Sequence, residues 1–462
     1  MKRSKKLYTL LGMLALVCVV TFCVSKYEEK KEIIKNSDEI ILEVAKEEVT
    51  SLAWEYDDVE LAFHKDENWF YDEDEAFPVN EEKVEGMLEL FESFGVSFII
   101  EEVEDFGQYG LDKPICTITF STAEDFYEIK LGDYSTMDSE RYVSLGDGNV
   151  YLVKNDPMET FEVILDDMLL HDEFPAFDEV QEIGFSGSEN YKVIYEEESD
   201  NTYCKDDVYF AKQENSVRPL DTDSVGDYLD TISYLELTDY VTYNATEEEI
   251  TDCGLDNPEL TVTVQHMRYD EETKKDTEES FILHIGRDPE DLAQVPASEV
   301  EVNAYARVGD SQIIYKLTED QYEVLTEVAY DDLRHEEVFT ADFDEITQID
   351  IVLEGEAYTI TSEGKAEKRV FYYGEEEVEL APFNSALMAV AADSFIEENP
   401  LQKEEISLVI YLENENFSEV SIAFYRYDGS HCLAMLNEEP ICLVERSLVI
   451  DLVEAVNAIV LN

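Results

Sequence analysis

Alternating hydrophobic and polar residues run through most of the chain and predict β-strands. Residues 115–120 and 260–264 alternate between apolar and threonine side chains, and residues 142–145 and 150–153 flank a turn rich in Gly and Asp. Successive side chains of a strand point to opposite faces, so this pattern is typical of antiparallel sheets with one face in a core. Because the strands come in runs, the pattern favours an α+β fold over a doubly wound parallel one.

Three stretches instead place apolar residues three or four positions apart, which predicts amphipathic helices. The first follows Asn80 as a cap, the second begins at Asp223 or Ser224, and the third begins at Pro382. The apolar positions are Val84, Met87, Leu88, Phe91 and Phe94 in the first, Val225, Leu229, Ile232 and Leu235 in the second, and Phe383, Leu387, Val390 and Ala391 in the third. Strands accompany each stretch, so we expect these stripes to cover a sheet rather than bind a partner.

A Gly-Leu-Asp-x-Pro motif occurs twice, at residues 110–114 and 254–258, and each copy precedes an alternating strand. Residues 246–249 read Thr-Glu-Glu-Glu, a capping-box pattern that predicts a short helix before the second copy. The glycine is then expected in the left-handed conformation just past the helix end, with Pro blocking its continuation.

A hairpin also recurs, at residues 142–153 and 305–317, with a Tyr four residues before the turn glycine in both copies. Strands at residues 406–412 and 420–425, followed by a hairpin at 431–446, suggest a degraded third copy. The acid-rich connectors at 166–174 and 331–339 are similar to each other and mark boundaries near residues 173 and 339.

The predicted organisation is an α+β chain of tandem units, each an antiparallel sheet with one covering helix, after a single N-terminal transmembrane helix. The segments are a membrane anchor or signal at 1–25, a juxtamembrane linker at 26–40, a first unit at 41–172, a second related unit at 173–338 and a third, divergent unit at 339–462. Units of this length can bury a core of their own.

The N-terminal segment predicts membrane attachment. Four basic residues among the first six precede an uncharged apolar run of 18 residues, 7–24, which as a helix spans about 27 Å and crosses a hydrocarbon layer. No A-x-A site follows, and Phe22 stands before Cys23, where lipidation needs a small residue. We expect an uncleaved single-pass anchor in the cell membrane with the body on the extracytoplasmic side; cleavage and lipidation stay open.

The charge is strongly one-sided: 111 Asp and Glu face 32 Lys and Arg, for a net charge of −79. Nucleic-acid partners are excluded on this ground, because phosphate binding needs clustered basic residues. The acid excess is expected to keep the body soluble and to bind cations weakly.

The seven cysteines include no Cys-x-x-Cys pair. In the terminal hairpin we expect Leu436 to face Ile441, which places Cys432 and Cys442 three rungs apart, roughly 10 Å, too far for a disulfide. Neither a structural disulfide nor a zinc site is predicted.

We predict no catalytic, cofactor-binding or metal-ligating residues, and no cofactor. His171 and His335 stand out because both lie in acid-rich connectors at corresponding positions. A metal site would pair such a His with Asp172 or Glu173, but a lone His among acids lacks ligands for tight binding. The preferred interpretation is a solvated or helix-capping histidine with a raised pKa.

Several landmarks of the first unit occur together: Trp69, the helix at 78–94, the motif at 110–114, the strand end at 130–132 and the hairpin at 142–153. This set resembles the bacterial domain-of-unknown-function family 4340 (DUF4340) over residues 41–172, and more faintly over 173–338. The third unit lacks the motif. The resemblance implies a bacterial envelope protein with an N-terminal anchor, in some relatives resembling an auxiliary part of gliding-type ABC transport systems. It brings no catalytic residues with it.

The leading hypothesis for function is a membrane-anchored, extracytoplasmic, non-enzymatic binding or scaffold protein, auxiliary to an ABC-type transport system and in contact with membrane transport proteins. One alternative is an envelope hydrolase that uses a carboxylate pair. Another is an acidic spacer that binds cations or the cell wall.

Overall fold

The computed structural model describes residues 13, 17, 19–21, 33–213, 216–270, 273–289, 303–365 and 368–461. The chain divides into two compact units, Met1–His171 and Asp172–Asn462. Within the described residues, one antiparallel sheet lies in the first unit and two lie in the second.

The predicted membrane anchor lies almost entirely outside the described residues, since only residues 13, 17 and 19–21 of the run 7–24 are described, as helix. Within the described ranges, no helix is long and apolar enough to cross a membrane. Membrane attachment through this segment stays a prediction.

The sheet of the first unit has ten strands, and its strand pairs are antiparallel. They are β1 (Ile33–Asn36), β2 (Ile40–Leu42), β3 (Val49–Tyr56), β4 (Val59–Lys65), β5 (Trp69–Tyr71), β6 (Phe94–Glu101), β7 (Cys116–Thr122), β8 (Phe126–Ser135), β9 (Glu140–Ser144) and β10 (Val150–Val153). The spatial order is β1-β6-β10-β9-β8-β7-β3-β4-β5, with β2 paired to β6. In β7 the predicted alternation holds, because Cys116, Ile118 and Phe120 are buried and the threonines between them are not.

The second sheet has nine strands. They are β11 (Glu179–Ser186), β12 (Asn190–Tyr195), β13 (Tyr209–Gln213), β14 (Ser216–Pro219), β15 (Tyr240–Thr242), β16 (Leu260–Asp270), β17 (Lys275–Arg287), β18 (Ala304–Val308) and β19 (Ile314–Leu317). Their order is β14-β13-β12-β11-β16-β17-β18-β19-β15.

The third sheet also has nine strands. They are β20 (Ile346–Leu353), β21 (Glu356–Glu363), β22 (Val370–Tyr373), β23 (Glu376–Val378), β24 (Ala392–Phe395), β25 (Glu404–Leu412), β26 (Glu419–Arg426), β27 (His431–Leu436) and β28 (Glu439–Glu445). Their order is β23-β22-β21-β20-β25-β26-β27-β28-β24.

All three sheets share one topology. Numbered along the chain, the strands of the second and third sheets both stand in the order 4-3-2-1-6-7-8-9-5. The first sheet, apart from β1 and β2, follows the same plan with one strand fewer before its helix. The third sheet is therefore a structural repeat, although its sequence lacks the Gly-Leu-Asp-x-Pro motif.

The helices fall at corresponding places in the repeats. Within the described ranges the α-helices are α1 (Glu81–Glu89), α2 (Met158–Phe161), α3 (Thr222–Ser233), α4 (Glu247–Asp252), α5 (Glu319–Thr326), α6 (Tyr330–Leu333), α7 (Ala381–Met388) and α8 (Arg446–Val460). Short 3-10 turns occupy Lys46–Glu48, Phe106–Tyr109, Leu165–Met168 and Phe343–Glu345. As predicted, Asn80 caps α1, where its side chain accepts a hydrogen bond from the amide of Lys83. The second helix begins earlier than expected, because Asp221 rather than Asp223 is its cap.

The prediction of one covering helix per sheet is wrong for the second and third repeats. In the third, Phe383 of α7 and Leu452 of α8 belong to the same buried core. In the second, the hydroxyl of Tyr228 on α3 donates to the carbonyl of Leu325 on α5 at 3.1 Å. Two helices cover each of these sheets, since a single helix of 8 or 12 residues is too short to bury the face of nine strands.

The two Gly-Leu-Asp-x-Pro motifs end their helices as predicted. Gly110 and Gly254 adopt left-handed φ angles of 72° and 70°. Leu255 then donates its amide to the carbonyl of Ile250 at 2.9 Å, the bond that closes a Schellman turn. The first copy makes the same bond from Leu111, there closing a 3-10 turn instead of an α-helix.

Each motif packs against a glycine of the following meander. A Cβ atom on Gly132 would lie 2.1 Å from the carbonyl oxygen of Tyr109, and one on Gly286 would lie 2.7 Å from the carbonyl oxygen of Gly254. Gly132, which lies at the predicted strand end at 130–132, and Gly286 are thus needed for the close approach of the motif backbone.

The predicted register of the terminal hairpin is wrong. Leu436 pairs with Glu439 rather than Ile441, because Asn437 and Glu438 adopt φ angles of 48° and 68° and form a two-residue turn. A register shift after Ala434 then places Cys442 opposite Ala434. Cys432 faces Val444, two rungs away, and both cysteines are free.

Candidate functional site

A cavity of about 210 Å³ lies inside the unit Asp172–Asn462, where the second and third repeats meet. The loop at 201–203 and the connector at 330–340 form one side. Phe395 of β24 and Ile441 of β28 form part of the other. The connector that was predicted to join two repeats therefore also forms a wall of the cavity.

Arg334 lies at the centre of the aromatic part of this wall. Its guanidinium carbon is 5.0 Å from the ring centroid of Tyr330 and 4.3 Å from that of Phe395. Arg218 approaches the Tyr330 ring to 5.4 Å as well. Contacts of this kind stabilise a cation by about 0.5–2 kcal/mol each and hold the planar guanidinium in place. Such concentrated positive charge is unusual in so acidic a chain.

The charged residues of the connector differ in burial. Arg334 and His335 are half-buried, whereas Glu336 and Glu337 are exposed. The inner wall therefore carries Arg334 and His335, each paired with an acid, Asp331 at 3.2 Å and Asp207 at 2.6 Å, and the rim carries further acids. Apolar side chains complete the inner wall, among them Val338, which is 1% exposed.

His335 makes a short bond to a buried acid. Its Nε2 lies 2.6 Å from Oδ1 of Asp207, a residue 3% exposed, and the other carboxylate oxygen of Asp207 accepts a hydrogen bond from Thr202 at 2.5 Å. Burial alone would lower the pKa of His335, but the bond to Asp207 and the charges of Asp207, Asp221 and Glu337 outweigh it and raise the pKa. His335 is therefore half-buried and hydrogen-bonded rather than solvated, whereas the predicted rise in its pKa is confirmed.

Two sets of potential metal ligands converge on His335. One consists of Cys204, Asp207 and His335, and the other of Asp221, His335 and Glu337; within each set the ligand atoms lie within 4.8 Å of one another. Asp221 Oδ2 is 4.0 Å from Nδ1, the ring nitrogen that faces away from Asp207.

The residues predicted to accompany such a histidine lie elsewhere. His171 is half-buried and ends the first unit. Asp172 accepts hydrogen bonds at Oδ2 from Ser311 at 2.8 Å and from Tyr315 at 3.0 Å, so it braces β19 of the second sheet. Glu173 lines a different cavity of the second repeat.

Cys204, Asp207 and Asp221 were not predicted from the sequence as site residues. Asp207 stands 128 positions before His335, and only the packing of the connector against the loop after β12 joins them. One local signal was present: Cys204-x-x-Asp207 has the spacing with which a tight turn presents two metal ligands.

The comparisons with known proteins place part of the chain in a family. Residues 69–258 match the model of the family described as Domain of unknown function (DUF4340). The match runs from Trp69 in the first sheet to the end of the second Gly-Leu-Asp-x-Pro motif, so it covers parts of two repeats. Neither the curated proteins nor the solved structures gave a match. The resemblance inferred from the sequence is confirmed over these residues, and this part of the chain matches the DUF4340 family.

Proposed function

We propose that this chain is a non-enzymatic binding protein, tethered to the outer side of a membrane by its N-terminal segment. The cavity that Arg334 lines receives a small ligand. The proposal rests on the position of the Arg334 guanidinium, which packs against the rings of Tyr330 and Phe395 in the wall of that cavity. Concave sites lined by apolar and aromatic side chains with a few fixed polar groups are the usual form of ligand pockets.

The wall indicates the chemistry of the ligand. Tyr203, Phe395 and Val338 offer apolar contact. The guanidinium of Arg334 donates from Nη1 to Asp331 at 3.2 Å and has further donors in the same fixed plane that suit a carboxylate or phosphate. The acids Glu336 and Glu337 are at the exposed rim rather than in the inner wall. The ligand is therefore a compact molecule with an aromatic or aliphatic body and one anionic group.

Attachment and partners are part of the same proposal. The basic flank and the apolar run at 7–24 supply the tether, and the net charge of −79 keeps the body away from anionic lipid headgroups. A binding protein held in this way can deliver its ligand to a neighbouring ABC-type transport system, which is the partner that the family resemblance implies.

The test is purification of the full-length protein from its own membranes in mild detergent, followed by analysis of the small molecules and proteins that accompany it. Wild type is expected to release an anionic compound with an apolar body and to retain transporter subunits. Arg334→Ala should retain about tenfold less of the compound, the equivalent of about 1.4 kcal/mol lost at the guanidinium.

Arg426→Ala serves as the matched control, because Arg426 is half-exposed on β26 and does not line the cavity. It should retain the compound at the wild-type level. Equal retention by wild type and Arg334→Ala would contradict the cavity as the binding site, and a wild-type protein that releases no such compound would contradict the ligand class.

A further inference from the structure

We propose that Cys204, Asp207 and His335 form a binding site for a zinc-type transition-metal dication. The three side chains offer one sulfur, one oxygen and one nitrogen ligand, all within 4.8 Å of one another. Around a zinc ion with bonds of about 2.0–2.3 Å, ligand atoms lie roughly 3–4 Å apart. The widest separation in the set must therefore shorten by about 1 Å or less, while Nε2 of His335 and Oδ1 of Asp207, which are 2.6 Å apart, must separate slightly to admit the ion. The site does not depend on the ligand proposed for the cavity.

The turn that carries two of the ligands has the form of a metal-binding turn. Cys204 and Asp207 are three residues apart in the loop between β12 and β13. The amide of Asp206 donates to the sulfur of Cys204, and the amide of Cys204 donates to the hydroxyl of Thr202 at 2.9 Å. Burial and the charge of Asp207 outweigh this donor and raise the pKa of Cys204 to about 12, so the metal itself must displace the thiol proton.

A carboxylate lies at ion-pair distance behind the third ligand. His335 directs Nε2 to Asp207, while Nδ1 lies 4.0 Å from Oδ2 of Asp221. Metal-bound histidines regularly have a carboxylate beside the nitrogen that does not bind the metal, which fixes the ring and raises its basicity. We therefore assign Asp221 as a positioning residue, whose carboxylate moves from 4.0 Å to hydrogen-bond distance of Nδ1 when the metal binds.

An ion has a path to the set. Cys204 and Asp207 line a second cavity of about 300 Å³, whose other lining residues include Glu197, Glu198 and Asp200. Acids lining an entry raise the local concentration of cations. Lys205 also lines this cavity, but its ammonium is 2.6 Å from Glu345 and 3.4 Å from Asp342, which neutralise it.

The ligand set indicates the metal. A thiolate and an imidazole suit zinc, or cobalt as its spectroscopic substitute, whereas calcium and magnesium prefer oxygen alone. Three protein ligands leave one position for water or for a donor atom of a ligand in the neighbouring cavity, which His335 also lines. On binding, the thiol proton of Cys204 and the proton shared by His335 and Asp207 leave to solvent as the metal takes their place.

Cobalt(II) titration of the full-length protein in detergent tests the site, because thiolate ligation gives a near-ultraviolet charge-transfer band that binding to surface acids does not. One equivalent is expected to saturate the band, and zinc is expected to abolish it. Cys204→Ser should remove the band, and Asp221→Asn should keep it with about 10–100-fold weaker affinity.

Cys442→Ser is the matched control: Cys442 is buried and free, lines the first cavity and lies outside the set. Its band and affinity should equal those of wild type. A wild-type protein without a saturable band, or a band that persists in Cys204→Ser, would overturn the proposal. Asp221→Asn keeps the test valid if Cys204→Ser fails to fold, since unchanged affinity in that variant contradicts the assigned positioning.

Discussion

Replacing Gly132 by Ala is expected to destabilise the first unit through a single backbone clash. The added Cβ would lie 2.1 Å from the carbonyl oxygen of Tyr109, whereas ordinary contact begins at 3.4 Å, so the two backbones must separate by the difference, 1.3 Å. The obstacle is a backbone carbonyl in a turn closed by the bond from Leu111 to Phe106, so it cannot yield as a flexible side chain would.

The magnitude follows from two opposing effects. Overpacking a tight site costs about 1–3 kcal/mol, and a backbone obstacle places this one at the upper end. In a strand, Ala stabilises the folded state by about 0.5–1 kcal/mol relative to Gly, because an unfolded chain with Ala has less conformational entropy to lose on folding. The net expectation is a loss of about 2 kcal/mol in the free energy of unfolding.

Tryptophan fluorescence during urea unfolding of the full-length protein measures this loss. The chain has two tryptophans, Trp54 and Trp69, and both are buried in the first sheet, so the signal reports that unit. Gly95→Ala in β6 is the control, because its Cβ would meet nothing closer than 3.8 Å. Equal unfolding midpoints for the Gly132 and Gly95 variants would refute the steric argument.

Two further changes test the other repeats by far-UV circular dichroism during urea unfolding. Glu259→Gln should cost about 1–2 kcal/mol at neutral pH: burial favours a higher pKa for Glu259, but bonds from Arg287 and Tyr322 outweigh it and lower the pKa. This contribution to stability is present above the unfolded pKa of 4.5 and is lost as pH falls through the lowered folded pKa. The difference in free energy of unfolding between wild type and Glu259→Gln should therefore become smaller in acid. A difference that does not change with pH would contradict this reasoning. Leu452→Ala should lower the free energy of unfolding by about 2–5 kcal/mol because Leu452 is fully buried. Ile450→Ala, on the exposed side of the same helix, should lower it by less than about 1 kcal/mol. Equal losses for the two variants would contradict the assignment of α8 to the core.

Features set by neighbouring residues were predictable from the sequence. The Gly-Leu-Asp-x-Pro turn, the Thr246 capping box and the Asn80 cap depend on contacts within four or five positions, and the structure has all three. The repeated hairpins were recognisable for the same reason.

Other features of the fold were missed for identifiable reasons. The hairpin after His431 turns at Asn437 and Glu438, and a non-glycine pair with positive φ gives little sign of a two-residue turn. The helix α8 did carry a signal, since Val449, Leu452 and Val456 have helical spacing, but the expected strand was extended into its first turn.

The candidate site could not be predicted because its residues are distant in the sequence. Asp207 and His335 come together only when the connector after α6 packs against the loop after β12. Arg334 likewise has one aromatic partner nearby in sequence, Tyr330, and one far along the chain, Phe395. A single sequence shows the acids and aromatics but not which of them meet.

Photo-crosslinking in living cells from inside the cavity beside Arg334 tests most directly whether this cavity is a binding site. Phe395→p-benzoylphenylalanine places the reactive ketone in the cavity wall, and the same replacement at Phe126, which is 68% exposed in the first unit, is the control. We predict one discrete small-molecule adduct from position 395, seen by mass spectrometry of the intact protein and missing from position 126. No adduct at position 395, or the same adducts at both positions, would contradict the account.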